Sequence, residues 1–259
     1  MRKHTLLLLL FCLNAWSQDF DFLPKEYVKI SNKDFFELKK KDSTFSITTF
    51  LDNGEVLNMN KIDSISKSKM SHKYVQLFFS DTINKKGAIV LKKLTDSEIK
   101  ERNKKFNDNI ENDKKNRREL KGKLVENLNL TDLEGKVYTL EDLKGKIVVL
   151  NFWFTKCAPC VKEIPDLNKM IQKYGTEKVA YFAITFDNNA LIDEFLKKHQ
   201  VDFTIIPEDK KTIDQFNISF YPTNIVLDKE GKVVFVNDFF MKDMVEDMNK
   251  LIKKLLSKS

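Results

Sequence analysis

Hydrophobic and polar positions follow two different patterns along this chain of 259 residues. In the first half, apolar and polar residues alternate over short runs, as at Phe45, Ile47 and Thr49, which is typical of half-buried strands. In the second half, continuous apolar runs of strand length alternate with stretches whose apolar residues recur every three or four positions, the helical period. This order predicts a β-rich N-terminal domain followed by an α/β domain with a sheet covered on both faces.

Residues 18–95 are predicted to form a small antiparallel β domain. The sequence Asp-Asn-Gly-Glu at 52–55 is a hairpin signal, because Asn-Gly accepts positive φ at both central positions, and residues 56–59 are expected to return as a strand. A second hairpin is expected around residues 84–87. The segment holds no cysteine and no histidine cluster, so we expect a docking or positioning role.

Residues 96–121 are almost entirely charged or amide-bearing. Before Leu120, the apolar positions are Ile99, Phe106 and Ile110, which form one thin stripe at spacings of seven and four. The pattern predicts a charged linker helix, with a flexible linker as the alternative. A membrane-surface helix is disfavoured, because acidic residues are interspersed among the basic ones.

Residues 1–17 predict an export signal. A basic start at 2–4 precedes a short apolar core at 5–13, and small residues at 15 and 17 favour cleavage before Gln18. We therefore expect a periplasmic or otherwise extracytoplasmic protein, an environment in which disulfides persist. An uncleaved membrane anchor, or a lipid on the cysteine of this segment, is the alternative.

Charge does not indicate a polyanionic partner. The chain has 45 Lys and Arg against 38 Asp and Glu, a net charge of +7, and the two signs are mixed along its length. A solvated mixed surface is therefore expected instead of a nucleic-acid interface. With only seven glycines and no Gly-rich phosphate loop, nucleotide binding is also not expected.

The segment with the clearest chemistry is 151–160 (NFWFTKCAPC). Apolar, β-branched and aromatic residues at 146–154 predict a strand buried on both faces, and a helical period begins at Val161. Cys157 is thus expected where a helix starts, and there unpaired N–H groups and the helix dipole favour a thiolate. Lys156 adds a neighbouring cation, which also lowers a thiol pKa.

Cys157 and Cys160 are therefore predicted to form a redox-active pair. The thiolate of Cys157 is expected to attack a substrate disulfide, and Cys160 to resolve the mixed disulfide. A zinc site is disfavoured, because it would need a second pair of Cys or His ligands and the three histidines lie in unrelated places. A purely structural bridge closing so short a loop would stabilise little. We expect no metal, and no cofactor beyond this disulfide.

Residues 151–165 (NFWFTKCAPCVKEIP) resemble the thioredoxin fold, and specifically the TlpA/ResA-like family of extracytoplasmic thiol–disulfide oxidoreductases. Residues 130–136 and 143–146 resemble that family's entry to its first core strands. The sequence Tyr-Pro-Thr at 221–223 stands where the family carries a cis-proline. The resemblance covers residues 122–259 and implies a mixed sheet flanked by helices, in which the last two strands pair antiparallel.

The resemblance also implies roles for individual residues. Glu163, three residues after the second cysteine, matches a glutamate that tunes thiol pKa values and shuttles protons; an ordinary helix-surface carboxylate is the alternative. Pro222 is expected in cis, which exposes the backbone of Tyr221 beside Cys157 to an extended substrate. The implied substrate surface consists of Trp153, Lys156, Pro159, Tyr221 and Pro222.

Two positions depart from related proteins. Asn151 stands where classical thioredoxins place an acidic residue, and Lys156 stands where the resembled family usually has Trp. The Lys156 departure bears on substrate preference and redox potential, not on the reaction type. By analogy, the expected partners are disulfide-containing exported proteins, with apocytochrome c as one candidate, and a membrane thiol electron donor.

These features predict an exported thiol–disulfide oxidoreductase that reduces protein disulfides. The alternatives are a disulfide-donating oxidase, or a binding module led by the N-terminal domain in which the CxxC is only structural. A peroxidase is disfavoured, because related peroxidases place a Thr three residues before the attacking cysteine and this chain has Phe154 there. A copper chaperone is also disfavoured, because copper chaperones of this fold place three residues between their cysteines and this chain has two.

Overall fold

A computed structural model describes residues 20–68, 70–237 and 243–257. The chain divides into two compact units, residues 1–105 and 106–259, and each is described by itself below. The predicted export signal at 1–17 lies outside the described residues. Within the described part of the chain, no helix is both long enough and apolar enough to cross a membrane.

The first unit is built on a four-stranded sheet in the order β1-β3-β4-β2. Its elements are β1 (Val28–Ile30), α1 (Asn32–Lys41), β2 (Ser46–Leu51), α2 (Met59–Lys67), β3 (Tyr74–Asp81) and β4 (Lys86–Lys93). The predicted second hairpin is confirmed, because β3 and β4 pair antiparallel from Tyr74 opposite Lys93 to Asp81 opposite Lys86. Phe35, Phe45 and Phe78 form one of its buried clusters.

The prediction of a wholly antiparallel sheet with a return strand at 56–59 is wrong. The Asn-Gly turn forms, with Leu51 N donating to Glu55 O at 2.8 Å, but only a single bridge joins Phe50 to Val56. Asn58 then caps α2, its side chain accepting from Lys61 N at 2.9 Å, because Asn is a strong N-cap residue. β2 pairs in parallel with β4 instead, an arrangement that requires a longer connection than a hairpin.

The charged segment forms one helix, α3 (Asp96–Leu120), so the helix predicted here forms and the flexible alternative is wrong. Its first turn is acidic and its last turn basic, which complements the helix dipole. The division between the two units falls within α3. In the part that belongs to the second unit, the buried residues are Ile110, Asp113 and Arg117, so the buried stripe is partly ionic.

The second unit is built on a five-stranded mixed sheet in the order β11-β10-β7-β8-β9. The strands of this sheet are β7 (Ile147–Phe152), β8 (Val179–Ile184), β9 (Thr204–Ile206), β10 (Thr223–Leu227) and β11 (Val233–Val236). A separate two-stranded sheet is formed by β5 (Asn129–Thr131) and β6 (Val137–Thr139). The helices of this unit after α3 are α4 (Ala158–Tyr174), α5 (Asn189–Leu196), α6 (Lys210–Gln215) and α7 (Met244–Leu256). The antiparallel pairing of β10 with β11 confirms the expected last strand pair.

β7 is the central strand, and its position explains its continuous apolar sequence. All six of its residues are buried, between β10 on one side and β8 on the other. Ile147 and Val149 belong to one hydrophobic cluster, while Val148 and Leu150 belong to the cluster on the opposite face. The strand therefore anchors both layers of the core and brings the segment that follows it to the edge of the sheet.

Candidate redox site

Cys157 and Cys160 are joined by a disulfide at the start of α4, with Cα atoms 5.2 Å apart. Cys157 is the N-cap residue, and its Sγ accepts the backbone N–H of Cys160 at 3.3 Å. Pro159 stands in the first turn of the helix, where its missing N–H costs nothing. A sulfur at this position is stabilised as a thiolate by the helix N-terminus once the disulfide is reduced.

Two of the predicted surface residues flank the disulfide on its exposed side. Lys156 and Pro159 are both solvent-exposed, whereas Cys157 and Cys160 are 4% and 1% exposed. Ala158, between them, is also exposed, so Lys156, Ala158 and Pro159 form a solvent-facing surface next to the buried sulfurs. The Lys156 side chain adds positive charge to that surface.

Trp153 does not form part of the substrate surface, contrary to the expectation. Its side chain is 1% exposed and belongs to the same buried cluster as the two cysteines. The indole packs on Phe195 of α5, with ring centroids 5.1 Å apart. Because the residue directly follows β7, which is buried on both faces, Trp153 supports the redox site from the core.

Glu163 is the acidic residue of the site, and the alternative of an ordinary surface carboxylate is wrong. Its Oε1 accepts hydrogen bonds from Asn151 Nδ2 at 2.9 Å and Asn224 Nδ2 at 3.2 Å. Burial raises the pKa of Glu163 to about 7, and the hydrogen bonds from Asn224 and Asn151 oppose that rise. A carboxyl with a pKa near 7 can both donate and accept a proton at neutral pH.

Asn224 was not predicted from the sequence. It stands directly opposite Asn151 in the β7–β10 register and is completely buried. Asn151 Nδ2 also donates to Asn224 Oδ1 at 2.9 Å. A signal existed, because a lone amide residue in the otherwise apolar run Asn-Ile-Val-Leu must find a buried polar partner.

The peptide bond between Tyr221 and Pro222 is cis, which confirms the expectation. Thr223 pairs with Phe152 at the end of β7, so Pro222 lies at the same edge of the sheet as the segment that leads to Cys157. Burial raises the pKa of Tyr221 to about 12, and Asp214 and Asp187 add to the effect. Tyr221 is therefore a neutral phenol at physiological pH.

Tyr221 belongs to an aromatic trio that the sequence did not reveal. Its ring lies edge-on to Phe154 at 5.4 Å and to Phe186 at 5.8 Å, and Phe154 stacks on Phe186 at 5.4 Å. Phe186 is 46% exposed. The trio unites the residues after β7, after β8 and before β10, and its exposed edge offers an apolar contact surface.

Asp187 fixes the loop between β7 and α4. Its carboxylate accepts the backbone N–H of Thr155 at 2.6 Å, and its own N–H donates to Thr185 Oγ1 at 3.0 Å. The side chain is buried, so the loop that carries Lys156 is tied to the end of β8. Among the described residues, no group of three or more His, Cys, Asp or Glu side chains is placed to hold a metal ion.

Together, a mixed sheet whose central strand leads into a CxxC disulfide at a helix N-terminus, with a cis-proline segment at the same sheet edge, defines a thioredoxin-like redox protein. Comparisons with known proteins agree. Residues 122–236 match the AhpC/TSA family, and the match does not include residues 18–121.

The chain is 41% identical over 115 residues to a thiol-disulfide oxidoreductase ResA of Bacillus cereus, covering 44% of this chain and 66% of that one, just under two thirds. It is 35% identical over 130 residues to ResA of Bacillus subtilis strain 168, covering 49% and 73%. The chain therefore belongs to the thioredoxin-like family of thiol–disulfide oxidoreductases that includes these ResA proteins. A putative thiol:disulfide interchange protein DsbE from Chlorobium tepidum is 27% identical, with a TM-score of 0.48 over 52% of this chain and 97% of that chain.

Proposed function

We propose that this protein is an extracytoplasmic reductase of protein disulfides, with Cys157 as the nucleophile. The observation that supports this most directly is the place of Cys157 as the N-cap of α4, where its sulfur receives the N–H of Cys160. This environment lowers a thiol pKa and raises the thiolate fraction at neutral pH. Cys160 lies one turn further on and is 1% exposed, which suits a resolving thiol that meets only the mixed disulfide.

The reaction requires the reduced form of the pair. The Cys157 thiolate attacks one sulfur of the substrate disulfide, forms a mixed disulfide, and expels the other substrate sulfur as a thiolate that takes up a proton. Cys160 then loses its proton and attacks Cys157 Sγ, which releases the second substrate thiol. The substrate gains two electrons and two protons, and the enzyme is left with the Cys157–Cys160 disulfide.

Glu163 is the proposed proton carrier for the resolving step. Its pKa of about 7 lets it accept the proton of Cys160 and return it to a leaving thiolate. Asn151 and Asn224 hold the carboxyl oxygen in place through both protonation states, because each is a donor to Oε1. Removal of either amide would alter the titration of Glu163 without removing a sulfur.

Lys156, Pro159, Tyr221 and Pro222 are the proposed substrate contacts. The first two are exposed beside the disulfide, and the other two lie at the edge of the sheet to which β7 leads. Partners are proposed to be disulfide-containing exported proteins, with apocytochrome c as one candidate, and a membrane thiol donor that restores the dithiol. No cofactor other than the redox-active disulfide is proposed.

The reduction potential of the Cys157–Cys160 pair tests the direction of electron flow. We would equilibrate the protein from Gln18 onward against glutathione and dithiothreitol buffers and measure the reduced fraction. A potential near about −270 mV, as for thioredoxin, supports the reductase. A potential near about −120 mV would make the protein a disulfide-donating oxidase. A pair that does not titrate reversibly would favour a binding module with a structural disulfide.

A further inference from the structure

The C-terminal part of α3 contributes a buried ion pair to the second unit. Asp113 and Arg117 are 5% and 7% exposed, and Arg117 Nε donates to Asp113 Oδ2. Burying two charges carries a large desolvation cost, and apolar residues of similar volume often serve stability equally well. The contacts of this pair therefore point to a geometric role.

Arg117 joins two segments next to the redox site. Its Nη2 donates to Thr223 Oγ1 at 2.9 Å, at the start of β10. Its Nη1 donates to the carbonyl oxygen of Asn237 and lies 3.4 Å from Asn237 Oδ1, directly after β11. Thr223 in turn donates to Phe220 O at 2.7 Å. One guanidinium thus holds the first residue of β10 and the residue that follows β11.

From Asn237, hydrogen bonds continue to the acidic group of the site. Asn237 Oδ1 accepts the backbone N–H of Asn224 at 2.6 Å, and Asn237 N donates to Asn224 O at 3.1 Å. The Asn224 side chain then donates to Glu163 Oε1 and accepts from Asn151. An unbroken series of polar contacts therefore runs from Arg117 to Glu163.

We propose that Arg117 is a positioning residue for the thiol–disulfide exchange, which fixes Thr223 and Asn237 so that Asn224 holds the Glu163 carboxyl in place. This inference rests on the proposed function, because it assigns Glu163 to proton transfer. It makes α3 part of the redox apparatus as well as a connecting helix. Arg117 itself touches neither the substrate nor the sulfurs.

Only an arginine suits this position. The planar guanidinium presents five donors in a fixed arrangement, and here they meet acceptors on Asp113, Thr223 and Asn237 at once. Lysine keeps the charge, but its single ammonium nitrogen cannot reach acceptors that here bond three different guanidinium nitrogens. Arg117→Lys therefore separates the positioning role from a simple effect of positive charge.

The groups around Glu163 determine what a pH titration of its carboxyl measures. From β7 and β10 it is faced by the neutral amides of Asn151 and Asn224, and burial is the largest cause of its raised pKa. On its own helix, the charged residues nearest to it in sequence are Lys162 and Asp166, which are both exposed, and Cys157 and Cys160 are disulfide-bonded in the oxidised form. In that form, the pH midpoint reports burial and the two amide hydrogen bonds.

The experiment is a pH titration of the Glu163 side-chain carboxyl by carbon-13 NMR in the oxidised full chain, with the signal assigned by Glu163→Gln. We expect Arg117→Lys to raise the midpoint by at least about half a pH unit, since a weakened Asn224 donor favours the protonated carboxyl. The matched control is Arg118→Lys, at an exposed position on the same helix, which should leave the midpoint unchanged. Reduction of a peptide disulfide at pH 7 should slow several-fold in Arg117→Lys only.

An unchanged midpoint in folded Arg117→Lys would overturn the inference. If that variant does not fold, Thr223→Val replaces it, because it removes one acceptor of Arg117 and keeps the ion pair with Asp113; a raised midpoint supports the inference, and an unchanged one overturns it. Failure of the proposed function gives a different result. Wild-type protein would then reduce no peptide disulfide, while the NMR midpoint would still decide the role of Arg117.

Discussion

Asn151 of β7 donates a 2.9 Å hydrogen bond to Asn224 of β10 across the centre of the sheet, and the two amides share Oε1 of Glu163 as an acceptor. Both asparagines are almost completely buried. A carboxyl group in this environment is neutral over part of the physiological pH range and still held by two donors. The site thus combines a disulfide with the proposed proton carrier, which is held from two neighbouring strands.

The ionisation of Glu163 should make the free energy of unfolding depend on pH. Because burial raises its pKa from 4.5 to about 7, the carboxyl favours the folded state fully below about pH 4.5, and this contribution is lost as the pH rises through 7. Glu163→Gln should therefore be more stable than wild type at pH 8, by about 1–3 kcal/mol, and similar to it near pH 4. Urea unfolding of the oxidised protein at both pH values measures the difference.

The matched control for this prediction is Glu177→Gln, at an exposed position in the same unit. It should not reproduce the pH-dependent gain. If Glu163→Gln were equally destabilised at pH 4 and pH 8, the elevated pKa of Glu163 would be refuted. If Glu163→Gln is more stable than wild type at pH 8 but not at pH 4, the ionised Glu163 carboxylate destabilises the folded protein.

The two cysteines should give opposite results in a trapping experiment. Cys160→Ser keeps the N-cap thiol of Cys157 and removes the resolving group, so a mixed disulfide with a peptide substrate should accumulate. Cys157→Ser leaves only the buried Cys160 thiol and should trap at least about tenfold less. Intact-mass spectrometry under non-reducing conditions measures both. More trapping in Cys157→Ser would reverse the assignment of nucleophile and resolving thiol.

The aromatic trio should affect protein substrates more than small ones. Phe186→Ser removes the exposed ring from the contacts with Phe154 and Tyr221, and a peptide disulfide with apolar flanking residues should then react about three- to tenfold more slowly, as expected for the loss of one apolar contact. Reaction with a small aromatic disulfide should change little. Stopped-flow rates with the two substrates give the comparison.

Leu191→Ser is the control for that substitution, since Leu191 is a similarly exposed apolar residue in the same unit. It should leave both rates unchanged. Equal loss with the peptide and the small disulfide in Phe186→Ser would indicate damage to the cysteines instead of a lost contact. Tyr221→Thr should alter the ranking of peptide substrates, because it removes the ring that both phenylalanines contact.

Gly87 of β4 is expected to be essential for packing in the first unit. A Cβ at this position would lie 2.6 Å from Phe45 and 2.7 Å from Phe35, closer than side chains approach. Gly87→Ala should therefore destabilise the protein by about 1–3 kcal/mol through overpacking. Thermal unfolding checks this against Lys86→Ala, at the exposed neighbouring position. A stable Gly87→Ala variant would show that the phenylalanine cluster can shift.

The sequence by itself determined the features that depend on local periodicity and spacing. The apolar run of β7, the helical period after Cys160 and the two-residue spacing of the cysteines were sufficient for the redox pair and its position at a helix start. The resemblance carried by residues 151–165 added the importance of Glu163, and the motif at residues 221–223 added the cis peptide bond at Pro222. Each of these rests on residues that are close together along the chain, or on one short motif.

Only the tertiary structure decided what depends on residues far apart in sequence. Asn224 was paired with Asn151, Arg117 with Thr223 and Asn237, and Phe186 with Tyr221. β2 was paired in parallel with β4, and Trp153 proved to be buried in the same cluster as the cysteines. The physical reason is that burial and hydrogen-bond partners are set by strand register and helix packing, and polar residues in a charged helix give no local sign of which of them will be enclosed.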